Sequence, residues 1–241
     1  MTSQDSEPPR LSKLLRDLQQ NEELRHQPVS SSGLDPQIAL LRQWQSRRLQ
    51  TTYADLLDDP QYRPACLFFL SDIYAPRDFS QRDHDLQRLH DFLAKVMPPA
   101  MIALLTEIVE LNRLSNALDQ QLAQVLAGRL GVTDAITSEQ YAEGYRLCDN
   151  HAERLRQIDL MISVLTEVGQ GARSRAVGAA VKLMRLPAVR TGWVELYDYL
   201  RNGHAAFKGM RRVQTFVDLV EQREKRILER IFAGHPQPFE G

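Results

Sequence analysis

Cysteine is scarce in this chain. Its 241 residues hold two, Cys66 and Cys148, far apart and without a C-x-x-C pair, so neither a zinc knuckle nor a redox pair is encoded. A surplus of one charge is also missing. The net charge of −1 argues against a wholly cationic nucleic-acid binder. No apolar run approaches the ~20 residues of a membrane span. The uncharged stretch Val96–Thr106 is short and contains Pro98-Pro99. Met1–Asp5 lacks the basic and apolar regions of a secretory signal, and the sparse cysteines suit a reduced, cytoplasmic compartment. Strand-like alternation, a fixed-period repeat, a Walker lysine in register and a nucleophile elbow are all absent.

Metal-ligand spacing is nearly absent as well. A di-iron bundle needs paired Glu-x-x-His motifs, and of the six histidines only His26 has a glutamate, Glu23, three residues before it. His84 and His90 are six residues apart, roughly 240° around a helix, and cannot chelate one ion from it. No metal and no cofactor is called for. His151, between Cys148 and Leu155, reads as a hydrogen-bonded core histidine; His204, before Phe207, is the one candidate haem ligand. Gly169-Gln170-Gly171, with Ser174 and Arg175 after it, offers free N–H groups to an anion but follows no strand.

What is present is helical periodicity. Residues 1–33 form an arm: a polar start, a short amphipathic helix through Leu11, Leu14, Leu15 and Leu18, and a Ser/Gly linker. Asp35-Pro36 opens the domain, 34–233, and 234–241 is expected to be a disordered tail. Ile38, Leu41, Gln45, Leu49 and Tyr53 make the first stripe. Asp59-Pro60 reads as the start of a second helix, running to about Tyr74, and Ser80 as the cap of a third, to Val96. A helix from Pro98-Pro99 is expected to break near Ser115-Asn116. Thr137 and Gln140 form a capping box for one long helix to about Val168, with Gly169 and Gly171 breaking it. Ala172, Ala176 and Ala180 make a small-residue face, Pro187 ends or bends that helix, and Trp193–Leu200 lead to a stop at Asn202-Gly203. Ala206, Met210, Val213, Val217, Val220, Ile227 and Ile231 form the last stripe, interrupted by Glu224. The expected fold is all-α: one compact, bundle-like domain of about eight to ten helices.

The densest aromatic run is Phe68-Phe69-Leu70-Ser71-Asp72-Ile73-Tyr74, apolar over most of a helical circumference, which predicts a central helix. Ala75-Pro76-Arg77-Asp78-Phe79 turns a tight corner after it, and Asp83 stands near the next helix start. Arg77, Asp78 and Asp83 are either caps of the two helices or a polar cluster facing a ligand or partner. Phe68–Tyr74 and its continuation through Asp83 resemble the motif of the bacterial FFLEELY-motif proteins, with Ser71-Asp72-Ile73 where that motif has Glu-Glu-Leu. The likeness covers about residues 35–233. It implies a helical protein of an uncharacterised family and brings no activity with it.

Charge is unevenly placed. Residues 170–215 hold nine cations against two acids, a local charge of +7, among them Arg173, Arg175, Arg211 and Arg212. Residues 54–91 hold eight acids against four arginines. The two segments either face each other or leave a cationic surface for an anionic ligand or an acidic protein. Nucleic acid is a less expected occupant of such a surface, since aromatics are sparse among the cations, which disfavours a single-strand stacking platform. Two functions fit. One is a non-enzymatic cytosolic interaction protein, using the basic 173–212 region or the arm to bind a protein partner or a second copy. The other is a helical small-molecule or haem-binding protein, an enzyme among its forms, with a cavity between the 68–74 and 141–165 helices.

Overall fold

The computed structural model describes residues 35–73, 81–82, 84–85, 88–89 and 99–240. Among these, all regular structure is helical and no strand occurs. Helix α1, Pro36–Thr52, starts where the Asp35 carboxylate accepts from Gln37 N at 2.8 Å and Ile38 N at 3.3 Å. Pro36 sits at the first turn, where its missing N–H costs nothing. A break at Tyr53 separates α2, Ala54–Asp58.

Asp59 does not cap a helix beginning at Pro60. Its carboxylate holds a turn through Gln61 N at 2.8 Å, and α3, Arg63–Phe68, begins after it. A π-helical turn, Phe69–Ile73, continues α3. Ala65 and Cys66 are buried, and Phe68, Phe69 and Leu70 pack on them, while Leu67 is turned to solvent. The helix is therefore one-sided rather than apolar all round. Residues 81–82, 84–85 and 88–89 are helical, and Leu89 points inward as its spacing predicts.

Helix α4, Pro99–Gly128, is a continuous 30 residues, and the expected break at Ser115-Asn116 does not occur. The Ser115 hydroxyl is engaged by Gln157 Nε2 at 2.9 Å rather than competing for its own backbone. The Thr137–Gln140 capping box opens α5, Ser138–Cys148, with both reciprocal bonds made. The long helix expected from there is two. Asp149 takes φ 51°, a left-handed conformation that Asp tolerates better than most residues, and α6 runs His151–Gly171. Gly169 does not break α6. It lets Val213 approach so closely that a Cβ there would overlap a Val213 methyl.

Three helices then wrap one corner: α7, Arg175–Leu183; α8, Arg185–Thr191, with Pro187 buried in its first turn; and α9, Val194–Lys208. Gly192, at φ 85°, ends α8. Helix α9 passes straight through Asn202-Gly203, where Gly203 admits the Phe68 ring. Helix α10, Val213–Phe232, takes the rest of the last stripe, while Ala206 belongs to α9 and Met210 to the turn between them.

α6 packs on both α4 and α10, α5 also packs on both, α1 lies on α4, and α3 lies on α9. The largest core cluster joins Tyr53, Leu56, Tyr62, Cys66, Leu165, Phe207, Phe216 and Val217. Each such side chain fully buried contributes roughly 1.5–3 kcal/mol. The tail departs from expectation: Phe239 returns to Trp44 and Tyr141, with centroids at 5.3 and 5.8 Å, because an aromatic pair stacked at 3.8 Å offers it an apolar edge. Among the described residues no helix is long and apolar enough to cross a membrane.

Candidate functional site

All nine cations between 170 and 215 reach the surface: Arg173, Arg175, Lys182, Arg185, Arg190, Arg201, Lys208, Arg211 and Arg212. Arg173 is also a clamp. Its guanidinium donates to Met210 O at 2.8 Å and to Arg211 O, so the α6–α7 turn is tied to the α9–α10 turn. Charge at the carbonyl end of α9 also complements the helix dipole. The clamp brings Arg173 and Arg211 together, and Arg175 and Arg212 stand on the same two turns. Arg201 pairs with Asp198 at 3.0 Å. Among the described residues, no ion pair engages the other seven cations.

Among the described residues, carboxylates of the acidic segment find partners away from this face. Asp55 is held by Arg223 from α10 at 2.6 Å, Asp59 by its own turn, and Asp85 by Gln81 at 2.7 Å. Two contacts link the segments among the described residues: Asn202 Nδ2 donates to the Asp72 carboxylate at 3.1 Å, and the Arg82 guanidinium lies 4.7 Å over the Tyr199 ring. Arg77, Asp78 and Asp83 lie outside the described residues.

A second polar system is internal. Arg48 Nη1 reaches Glu224 at 2.5 Å, and Tyr53 Oη donates to the same oxygen at 2.7 Å. Burial alone would depress the Arg48 guanidinium, but Glu224 holds it above its ordinary value. Nearby, Gln45 Nε2 donates to Asp119 at 3.0 Å, and Arg154 spans Leu118 O at 3.0 Å, Gln157 at 3.2 Å and the Tyr145 ring at 4.3 Å. Burial raises the Asp119 carboxyl against the opposing pull of Arg154 and Gln45. Two guanidiniums thus meet two carboxyls in this seam. Between α1, α10 and the tail lies a cleft of about 570 Å³, lined by Thr52, Leu219, Arg223, Arg226 and Phe239.

Burial raises the Cys66 thiol to about 11 and also raises Cys148, so neither is a thiolate near neutral pH. Among the described residues no three His, Cys, Asp or Glu side chains gather around a metal-sized point. His151 is half-exposed and meets Glu229 at 2.9 Å rather than lying in the core. His204 turns Nε2 onto the α7 backbone at Gly178, away from open space. Phe68, Phe69, Leu70, Met161 and Ile162 all pack against the largest core cluster, which includes the buried Leu165.

Residues 24–238 match the family model described as a domain of unknown function, DUF8198. The chain belongs to that family. No curated protein and no solved structure matches it.

In this DUF8198 domain the basic segment was legible from charge counting alone, and the internal seam was not. The seam did leave a signal. Gln45 and Glu224 each interrupt an otherwise apolar helical stripe, and each finds its partner on another helix.

Proposed function

We propose that this DUF8198 domain is a non-enzymatic interaction module that docks an acidic protein partner on its cationic 173–212 face. The observation that carries the reading is the surface exposure of nine cations, eight of them without an ion pair among the described residues. Exposed like charges repel and cost stability unless a partner neutralises them in the working complex. Two free cysteines, one of them buried, support a cytoplasmic setting. The likeness of Phe68–Tyr74 to the FFLEELY motif fits a packing role, since Phe68 seats on Gly203 at the base of this face.

Titrating fluorescein-labelled oligoglutamate with the full chain tests the reading. Binding should weaken steeply with salt, because exposed charges are screened within ~10 Å at 0.1 M. Arg175→Glu with Arg211→Glu and Arg212→Glu should weaken it by at least about tenfold, ~1.4 kcal/mol. Unchanged affinity in that triple variant would move the contact surface elsewhere.

A further inference from the structure

Five large apolar side chains are exposed among the described residues, and four of them fall between 183 and 194: Leu183, Leu186, Val189 and Val194. Leu186 and Val189 are 53% and 58% exposed, on a helix of seven residues. The other side of α8 is anchored. Pro187 and Ala188 are buried, and Ala188 packs with Trp193, Leu196 and Tyr197. At about 100° per residue, Arg185, Val189, Leu186 and Arg190 follow one another around an arc of roughly 140°. Two apolar side chains thus lie between two arginines, and Lys182 and Leu183 precede them at the end of α7.

We propose that the exposed face of α8 is the seat of an acidic amphipathic helix of a partner protein, its apolar stripe on Leu186 and Val189 and its carboxylates on Arg185 and Arg190. This rests on the reading of the 173–212 face as a docking surface and adds what kind of segment it takes. Charge complementarity selects the occupant. In the chain's own sequence around Leu11–Leu18, Arg10, Lys13 and Arg16 stand against Asp17, a charge that does not complement Arg185 and Arg190. Phosphate backbones would meet the arginines but leave Leu186 and Val189 against polar groups. An anionic lipid surface favours aromatic anchors at the interface, and here Trp193 and Tyr197 are turned into the core. An amphipathic helix with acidic flanks satisfies both the apolar centre and the cationic rim, the usual way a helix binds a helical groove.

The test uses the full chain and three probes: a labelled helix of leucine and glutamate about five turns long, ~18 residues, oligoglutamate of equal charge, and vesicles of phosphatidylserine in phosphatidylcholine. The Leu–Glu helix should bind at least about tenfold tighter than oligoglutamate. Leu186→Gln with Val189→Gln should erase that difference while leaving oligoglutamate binding and the helical spectrum intact. Arg185→Glu with Arg190→Glu should weaken both peptides. Equal binding of the two peptides would overturn the α8 seat and leave the cationic face standing. Failure of both peptides would overturn the two readings together. Tight vesicle binding without peptide binding would replace the partner helix by a lipid surface. A dimer that dissociates on Leu186→Gln would replace it by a second copy of this chain.

Discussion

Glu224 accepts the Arg48 guanidinium at 2.5 Å from a position that is otherwise the apolar stripe of α10. The two side chains are 12% and 14% exposed, and Tyr53 closes the third side of the same carboxylate oxygen. The pair joins the first and last described helices across 176 positions of sequence. An ion pair this enclosed is costly to break from one side, because the survivor keeps its desolvation cost without its partner.

Glu224→Ala should therefore lower stability by about 3–5 kcal/mol. Replacing Arg48 by Met, Tyr53 by Phe and Glu224 by Leu together should recover most of the loss, since no buried polar group is then stranded. Urea denaturation of the single and triple variants measures both. A single variant within ~0.5 kcal/mol of the parent, the range of ordinary surface substitutions, would show the pair to be solvated in solution.

The helical class and the helix starts at Pro36, Pro99 and Ser138 were legible because period-3.6 stripes and caps are local. Asp35-Pro36 and Thr137–Gln140 work as read. Breaks were harder. Glycine has two uses, ending a helix and admitting a neighbour, and one letter stands for both. Gly192 ends α8, whereas Gly169 and Gly203 lie within helices and make room for Val213 and Phe68. The true break after Cys148 is made by Asp149 in a left-handed conformation, a choice that tertiary packing selects rather than propensity. The basic face was visible as composition. Its exposure was not, because ion pairing depends on which helices become neighbours.

Residues 1–33 should be dispensable for the described fold. Helix α1 is capped by Asp35 itself and needs no upstream residue to satisfy its first N–H groups. A chain beginning at Leu34 should unfold within ~1 kcal/mol of the parent, below a core-sized loss. The family match begins at residue 24, so a larger loss would assign 24–33 to the core.

His204 should make stability fall with acid. Burial, then the neighbouring Lys208, lowers its pKa below the ordinary 6.5. The folded state then binds fewer protons than the unfolded one between that lowered value and 6.5. Its contribution is complete above 6.5 and is lost as pH falls through the window beneath. His204→Gln should flatten the melting temperature between about pH 7 and about pH 5. An unchanged slope in the variant would place the acid sensitivity on another group.

The tail should act as part of the core. Phe239 lies edge-on to Trp44 and Tyr141, and the chain has only one other tryptophan, Trp193, buried in a separate cluster. Phe239→Ala should cost about 1–3 kcal/mol and shift fluorescence to the red through Trp44 alone. Emission identical to the parent would mean that the tail leaves this site in solution.

Gly169 and Gly171 make the sharpest pair of tests, because they sit two residues apart at the end of α6 and differ only in what faces them. A Cβ on Gly169 would overlap the Val213 methyl at the start of α10. Val213 is buried at the first turn of α10, so it cannot yield without moving that turn. Gly169→Ala should cost about 1–3 kcal/mol, as overpacking does. A Cβ on Gly171 meets nothing within 4 Å, and the residue is helical. Gly171→Ala should be neutral or stabilise by up to ~1 kcal/mol, by reducing the freedom of the unfolded chain. Thermal melts of the two variants in one buffer give the comparison directly. Equal shifts would mean that α6 and α10 do not meet as closely as Val213 requires, and the reverse order would move the contact to Gly171.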